Sequence, residues 1–186
     1  GTLQMPAMGI SGTYEAMSAA PDKLYLKMSI AGFGDSIEGS DGKTVWSVNP
    51  LTGSRVKSGD ELKQALIANN FYKDVKMKEL YSRLETIRKD KVGEADVYVV
   101  KASNEGLPDD ILYFDAETGY LLRTDMTAIS PEGKQAVSTY YSDVREVSGI
   151  KLPFRYRMVM PQFEIIVSME KVEFGVEVDE AKFSKP

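Results

Sequence analysis

The chain has 186 residues, of which 42% are apolar and 27% charged, and its formal net charge is −5. It contains no histidine and no cysteine, which excludes imidazole acid–base catalysis, thiol nucleophiles, disulfides and zinc sites built on either residue. The excess of acidic residues argues against a nucleic acid as the partner. The length fits one domain, residues 1–186, that is long enough to bury a core.

The first residues of the sequence do not have the pattern of a signal peptide or of a transmembrane helix. Residues 1–8 contain no basic residue and no sustained apolar stretch, and no apolar run elsewhere approaches the roughly 20 residues that span a bilayer. Because the chain starts with Gly1 rather than methionine, we expect that a leader peptide has been removed. The absence of cysteine is compatible with an oxidising periplasm and equally with the cytosol.

Alternating apolar and polar residues predict β-strands in the first part of the chain. Residues 23–30 alternate so that one face of a strand carries Leu24, Leu26 and Met28. The pair Asp41-Gly42 is typical of a hairpin turn between two further strands, and Trp46 lies in the second of them. We interpret Trp46 as either a core anchor or part of a cavity wall.

One helix is indicated between the early and the middle strands. Ser58 and Glu61 have the Ser-x-x-Glu spacing of a capping box. An apolar stripe follows, with Leu62 and Leu66 four residues apart. This pattern predicts a helix over residues 60–68, and we expect the helix to act as a lid over the sheet.

Turn signals divide the last third of the chain into an antiparallel meander of long strands. The turns are placed at Thr118-Gly119, Glu132-Gly133, Ser148-Gly149 and Pro161-Gln162. Alternation places Tyr156 and Met158 on one face of a strand, and Ile165 on the apolar face of the next. The apolar phase then shifts by one residue, which predicts a β-bulge near Glu170-Lys171. Residues 179–183 predict a short helical turn that docks the last aromatic residue of the chain.

The motifs that could carry catalysis or bind a metal fail in their sequence context. Gly42-Lys43-Thr44 resembles the end of a phosphate-binding loop, but Ile37 occupies the position of the required upstream glycine. Asp35, Glu38 and Asp41 cluster near a turn, yet Ile37 stands where a calcium loop needs an oxygen ligand. We therefore predict that the chain is not an enzyme and that it has no catalytic residue, metal site or cofactor.

Nine methionines are the most distinctive part of the apolar composition. Several of them alternate within predicted strands, and flexible methionine suits a cavity that accepts variable apolar ligands. An ordinary filled core is the alternative explanation, and the sequence leaves both open. A basic cluster at residues 83–91 is balanced by acidic neighbours, which favours a solvated strand edge over nucleic-acid binding.

Several segments, taken in order, carry a resemblance to a known family. They read PDK, GSDGKTVW, NP, YFDAETGYLLR, YSDVREVSGIKLP and VDEAKF, at residues 21–23, 39–46, 49–50, 113–123, 141–153 and 178–183. In this order they resemble the outer-membrane lipoprotein-sorting (LolA-like) proteins of bacterial envelopes over nearly the whole chain. Because these motifs are turns and strand ends, they indicate the fold more specifically than the function.

The resemblance implies a single curved antiparallel sheet that forms an unclosed half-barrel of about 10–11 strands. One or two helices would pack in or over its concave face. Carriers with this fold hold acyl chains or other lipids away from water in the periplasm. The usual N-terminal helix has no counterpart here, because residues 2–7 are few and include Pro6. No residue matches the carriers' functional positions, so none is carried over.

We therefore expect a non-catalytic domain that binds or transports a lipid, a lipoprotein acyl chain or a similar apolar ligand in the periplasm or cell envelope. Its partners would be that ligand or a lipoprotein, with peripheral membrane contact and with neither a nucleic acid nor a transmembrane segment. The alternative is a non-carrier interaction or accessory domain of a larger envelope protein, with a filled core. The residues expected to line the ligand cavity are Leu24, Leu26, Met28, Trp46, Leu62, Leu66, Tyr156, Met158 and Ile165.

Overall fold

The computed structural model describes residues 1–185 and is built mainly from β-strands. In chain order the strands are β1 (Thr2–Met5), β2 (Ile10–Ala19), β3 (Lys23–Ile30), β4 (Gly34–Asp41), β5 (Val45–Asn49), β6 (Gly53–Val56), β7 (Arg83–Val92), β8 (Ala95–Ser103), β9 (Asp110–Asp115), β10 (Leu121–Ser130), β11 (Gly133–Val147), β12 (Ile150–Val159) and β13 (Glu164–Ser168). Helices α1 (Gly59–Ala68) and α2 (Met77–Leu80) separate β6 from β7, and 3₁₀ turns occupy Pro6–Met8 and Glu180–Phe183. None of the helices in the described part of the chain has the length and apolar character needed to cross a membrane.

Across residues 1–185, the thirteen strands form one antiparallel sheet in the order β6-β5-β4-β3-β2-β1-β13-β12-β11-β10-β9-β8-β7. The sheet is open, because β6 and β7 stand at the two ends of this order. Neighbouring strands are consecutive in the chain except where β1 lies next to β13. The predicted fold class, a mainly β chain with one open antiparallel sheet, is confirmed, with thirteen strands in place of ten or eleven.

The chain divides into two compact units. Unit 1 contains Gly1–Lys76 together with the segment from Val167 onward, and unit 2 contains Met77–Ile166. Strands β1 to β6 and helix α1 thus belong to unit 1, whereas α2 and β7 to β12 belong to unit 2. The single domain expected for residues 1–186 stays a prediction.

The core of unit 1 is organised around Trp46 and the C-terminal 3₁₀ turn. Trp46 lies directly opposite Gly39 in β4, and its indole covers that glycine so closely that a Cβ there would overlap the ring. The indole Nε1 donates a hydrogen bond to the carbonyl oxygen of Phe183 at 3.3 Å. The carboxylate of Asp179 caps the turn by accepting a hydrogen bond from the N–H of Ala181. Phe183 is fully buried, which confirms the docked C-terminal turn predicted from the sequence.

Helix α1 is confirmed, but its N-terminus is arranged differently from the prediction. Ser58 is the N-cap, yet its side chain makes no capping hydrogen bond. Glu61, which was expected to complete a capping box, forms an ion pair with Arg55 through two hydrogen bonds of 2.6 and 2.7 Å. Such charge-assisted pairs are about twice as strong as hydrogen bonds between neutral groups, so Glu61 bonds to Arg55 instead. The capping-box prediction is therefore wrong.

Unit 2 contains the expected meander, although its last strand is short. Strands β10, β11 and β12 are long and pair in sequence, and the N–H of Met160 donates to the carbonyl of Phe163 across the final turn. Strand β13 ends at Ser168, and residues 169–178 form no strand. The β-bulge predicted near Glu170-Lys171 is therefore wrong. A shift of apolar phase also arises where a strand ends, because the side chains then no longer alternate.

We expect Phe183→Ala to lower the free energy of unfolding by about 3–5 kcal/mol, because the fully buried ring leaves a cavity when it is removed. Phe174→Ala is the matched control: Phe174 is exposed in the same C-terminal segment, and its loss should cost less than about 1 kcal/mol. Urea denaturation followed by the fluorescence of Trp46, the single tryptophan of the chain, measures both variants. Equal losses in the two variants would contradict the docking of Phe183.

Candidate functional site

One face of strands β2 and β3 in unit 1 is mainly apolar. Residues directly opposite each other in antiparallel strands point to the same side, and Leu26 lies opposite Ala16 in β2 and Glu38 in β4. The apolar side of β2 and β3, here called apolar face 1, is formed by Tyr14, Ala16, Leu24, Leu26, Met28 and Ile30. Its five larger side chains are half-buried, and burial raises the pKa of the Tyr14 hydroxyl. The structure thus brings the three predicted residues of β3 together on one half-covered surface.

The start of helix α1 is held on the side of apolar face 1. Directly opposite residues connect Leu26 in β3 with Glu38 in β4. Glu38 in turn lies opposite Ser47 in β5, and Ser47 lies opposite Arg55 in β6. All four residues therefore point to the same side of the sheet. Because Arg55 pairs with Glu61, the first turn of α1 is anchored over this side.

The other end of α1 is linked to the turn between β2 and β3. There the N–H of Phe71 donates to the carbonyl oxygen of Pro21 at 2.9 Å. Ten helical residues measure roughly 15 Å, which equals about three strand spacings. The helix therefore runs from β6 towards the β2–β3 turn on the side of apolar face 1. Leu62 and Leu66, both predicted as lining residues, are half-buried on this helix.

Trp46 lies on the opposite face of the unit 1 sheet. Trp46 lies opposite Gly39 in β4, and Gly39 lies opposite Tyr25 in β3, so all three point to one side. Because Tyr25 directly precedes Leu26 in β3, that side is the one away from apolar face 1. The contact of its ring with Gly39 and its hydrogen bond to Phe183 make Trp46 part of the core. The structure does not bring Trp46 together with apolar face 1.

The central strands of unit 2 form a second apolar surface. Tyr141 in β11 lies opposite Tyr156 in β12, with the two rings edge to face and 5.6 Å apart, and Thr139 lies opposite Met158. This surface, here called apolar face 2, is formed by Thr124, Met126, Ala128, Val137, Thr139, Tyr141, Tyr156 and Met158. All eight residues are half-buried, and none is charged.

Ile165 is on the same side as apolar face 2. Arg157 and Glu164 form an ion pair at 3.4 Å, which places them on one side of their strands. Arg157 stands between Tyr156 and Met158 and so points away from apolar face 2. Ile165 follows Glu164 and therefore points to the side of Met158. The structure thus brings the three lining residues predicted in unit 2 together.

Several residues of these faces are missing from the set predicted to line a cavity. Tyr14, Met126 and Tyr141 are examples. Met126 could have been found from the sequence, because it alternates with polar Asp125 and Thr127 in β10. Tyr141 belongs to apolar face 2 because it lies opposite Tyr156 in the neighbouring strand, and the local sequence does not specify this pairing.

The opposite face of unit 2 carries a row of alternating tyrosine and arginine side chains. Tyr113, Arg123, Tyr140 and Arg157 lie directly opposite one another on β9, β10, β11 and β12. The guanidinium of Arg123 is 4.9 Å from the ring centre of Tyr113 and 5.1 Å from that of Tyr140. The guanidinium of Arg157 is 4.7 Å from the ring centre of Tyr140. These cation–π contacts connect four neighbouring strands.

Asp125 completes this row. It accepts two hydrogen bonds from Arg123, at 2.7 and 2.8 Å, and one from the hydroxyl of Tyr113 at 2.9 Å. Burial alone would raise the pKa of Asp125, but the hydrogen bonds from Arg123, Ser138 and Tyr113 outweigh it and lower the pKa below its usual range. Burial, followed by the hydrogen bond to Asp125, raises the pKa of Tyr113. Asp125 is therefore ionised at neutral pH and acts in a structural network.

The two apolar faces present aromatic rings, thioethers and methyl groups. These groups can exclude water and contact an apolar ligand through dispersion forces. Among residues 1–185, no group of three or more His, Cys, Asp or Glu side chains is placed to hold a metal ion.

Three solved structures share the fold over nearly the whole chain. An outer membrane lipoprotein-sorting protein domain from Vibrio parahaemolyticus is 13% identical, with a TM-score of 0.59 and with 98% of this chain and 86% of that chain covered. A DUF1329 family protein from Desulfovibrio piger is 12% identical, with a TM-score of 0.61 and coverages of 98% and 86%. A LolA superfamily protein from Nitrosomonas europaea is 13% identical, with a TM-score of 0.61 and coverages of 99% and 86%.

These likenesses concern the fold. No family model and no curated protein matches the sequence. At identities of 12–13%, similarity of structure establishes a shared architecture and leaves function open. The chain has the LolA-like fold, as its sequence motifs predicted.

Loss of the anchor at the start of α1 is expected to loosen the helix. In Glu61→Gln, amide hydrogens of residues 62–68 should exchange with solvent roughly tenfold faster, because one charged hydrogen-bonded pair no longer opposes local opening. Asp60→Asn is the matched control, since Asp60 pairs with Lys63 on the exposed side of the same helix and such pairs contribute little. Hydrogen exchange measured by mass spectrometry compares the two variants, and the idea fails if both exchange alike.

The pH dependence of stability should reveal the role of Asp125. Because its folded pKa is lowered, the stability it contributes is present above its unfolded pKa and is lost as the pH falls through the folded pKa. At pH 7 we expect Asp125→Asn to lower the free energy of unfolding by about 1–3 kcal/mol. Urea denaturation should show that this difference becomes smaller as the pH is lowered from 7 to about 3, because Asp125 is then increasingly protonated in the unfolded chain. A difference that stays constant from pH 7 to that acidic pH would refute this account.

Proposed function

We propose that this chain, acting as one LolA-like domain, binds a lipid, a lipoprotein acyl chain or a similar apolar ligand without transforming it. We place it in the periplasm or envelope of a bacterium. The observation that carries the proposal is the pair of half-buried apolar strand faces, of which apolar face 2 has no charged residue. Extended uncharged surface that the chain itself covers only in part is a common feature of binding sites.

An acyl chain would bind mainly through the hydrophobic effect. Each methylene removed from water contributes about 0.8 kcal/mol, so burial of about ten contributes roughly 8 kcal/mol before the cost of immobilising the ligand. Met28, Met126 and Met158 are flexible and polarisable, which suits chains of different shape. The hydroxyl of Tyr14 can bond to an ester or headgroup at the polar end of such a ligand.

The fold comparisons agree with this proposal. Two of the similar structures are named for lipoprotein sorting or for the LolA superfamily. The sequence resemblance implies the same kind of carrier in the bacterial envelope. Helix α1 would serve as the lid, because it is anchored on the side of apolar face 1 at both of its ends.

A non-carrier interaction module is the second candidate function. Leu3, Val45, Trp46 and Phe183 are buried against other parts of the chain, as in a domain with a filled core that binds a protein partner. The two candidates differ in one property, because only a carrier holds an exchangeable apolar ligand.

Native mass spectrometry of protein expressed in a bacterial host separates the two candidates. For a carrier, we expect species heavier than the 20.6 kDa chain that revert to it when a competing fatty acid displaces the bound lipid. A fluorescent fatty-acid probe should bind to delipidated protein and be displaced in the same way. Protein that retains no lipid and does not bind the probe would favour the interaction module.

Substitution of one residue on each apolar face should weaken probe binding. We expect Leu26→Gln and Met158→Gln each to raise the Kd of the probe roughly tenfold, because a polar amide replaces apolar contact area. Lys27→Gln and Val159→Gln are the matched controls, because these neighbours point to the opposite faces of the same strands. Fluorescence titration gives the four affinities. Comparable losses in the controls would show that the effect arises from stability and not from the apolar faces.

A further inference from the structure

Three hairpin tips of unit 1 lie at one end of its sheet. They connect β1 to β2, β3 to β4 and β5 to β6, and the register of these strands places all three turns at the same end. Because neighbouring strands are about 4.8 Å apart, successive tips are roughly 10 Å apart. Pro50 in the third tip packs next to Gly34 at the second, so these two tips are in contact.

Each tip exposes one large apolar side chain. The exposed fractions are 52% for Met8, 54% for Phe33 and 82% for Leu51. The tips read PAMG, AGFG and PLTG, at residues 6–9, 31–34 and 50–53, and contain no charged residue. Gly32, with a φ of 82°, allows the second turn to be tight. The apolar side chains are therefore presented beyond the ends of the strands.

The turns at the other end of the same strands are different in composition. The β2–β3 turn contains Asp22, and the β4–β5 turn contains Lys43 next to Asp41. The chain as a whole is 27% charged with a net charge of −5. Exposed apolar side chains also occur in the segment linked to that end, where Phe71, Tyr72 and Val75 stand beside the charged Lys73 and Asp74. The three tips differ because they combine exposed apolar residues with the absence of any charged residue, and this combination indicates a surface that contacts something other than water.

An open groove of about 600 Å³ lies beside the first two tips. Its lining includes Leu3, Gln4, Ser11, Ser29, Ile30 and Ala31, at the same end of β1, β2 and β3. Asp35, also in the lining, forms an ion pair with Lys27 at 2.6 Å. Hydroxyl, amide and aliphatic groups are thus mixed in this groove. Such a mixture suits the boundary between lipid headgroups and acyl chains.

We propose that the three tips dock on the surface of a phospholipid bilayer, with Met8, Phe33 and Leu51 inserted into the headgroup boundary. A bilayer fits better than a protein partner, because a standard protein interface needs about 800 Å² per partner and three separate side chains supply much less. Since the tips have no lysine or arginine, insertion is driven by apolar contact and needs no anionic lipid. The three tip residues are not part of apolar faces 1 and 2, and the inference does not depend on ligand binding there.

Sedimentation with phosphatidylcholine vesicles, alone and with phosphatidylglycerol added, tests the proposal. We expect the wild-type protein to bind phosphatidylcholine vesicles and to gain nothing from phosphatidylglycerol, because the net charge of the chain is negative. Leu51→Ser should weaken binding roughly tenfold. The triple variant with Met8, Phe33 and Leu51 all changed to Ser should not bind measurably.

Val75→Ser is the matched control for Leu51→Ser. Val75 is 81% exposed, but it lies in the segment after Phe71, which is linked to the β2–β3 turn at the other end of the strands. Its substitution should leave vesicle binding unchanged. The proposal is overturned if the wild type does not bind, if binding requires phosphatidylglycerol, or if Val75→Ser weakens binding as much as Leu51→Ser.

Phe33→Trp reports insertion directly. Trp46 is buried, so a change of emission on adding vesicles comes from position 33. We expect a blue shift and quenching by brominated lipids, whereas unchanged emission in vesicle-bound protein would contradict insertion.

The triple serine variant should bind the fluorescent fatty-acid probe as the wild type does when vesicles are absent. Loss of probe binding in that variant would instead assign the tips to the ligand site and overturn the proposal.

Discussion

The two-residue period of the β-strand is the constraint on which the rest of this structure depends. In both units, the pairing register decides which side chains share a face, and a slip by one residue would exchange the apolar and the charged faces. In β3 it separates Leu26 from its neighbours Tyr25 and Lys27, and in β12 it separates Met158 from Arg157. The same alternation that forms each apolar face therefore also places polar side chains on the other side of the same strands.

How far the sequence predicts this arrangement depends on how local each signal is. Leu24, Leu26 and Met28 could be placed on one face, because alternation within a single strand is visible in the sequence. The face of Trp46 could not be assigned, because it depends on which residue of β5 lies opposite Gly39, and a hairpin shifted by one residue would reverse it. The LolA-like fold was predictable as a whole because its motifs mark turns, and turns fix the order of the strands.

Competition between partners explains why the predicted capping box does not form at the start of helix α1. The Ser-x-x-Glu pattern predicts a capping box, but Arg55, six residues before Glu61, offers a stronger charged partner once β6 has formed. Beyond Ser168, the sequence still contains apolar residues such as Val172 and Phe174, although no strand is formed there. At helix α1 the outcome is decided by pairing with Arg55 in β6, which a local pattern does not contain. Apolar residues alone likewise do not specify where β13 ends.

The row of Tyr113, Arg123, Tyr140 and Arg157 stabilises the face of unit 2 that lies opposite apolar face 2. Four strands are connected on the charged face by cation–π contacts and by the hydrogen bonds of Asp125. These contacts run across the strands, in the direction in which a sheet would otherwise separate. They add to the backbone hydrogen bonds by which these strands pair. On the other side of the same strands, the residues of apolar face 2 stay half-buried and include no charged side chain, which is the property on which the proposed binding of an apolar ligand rests.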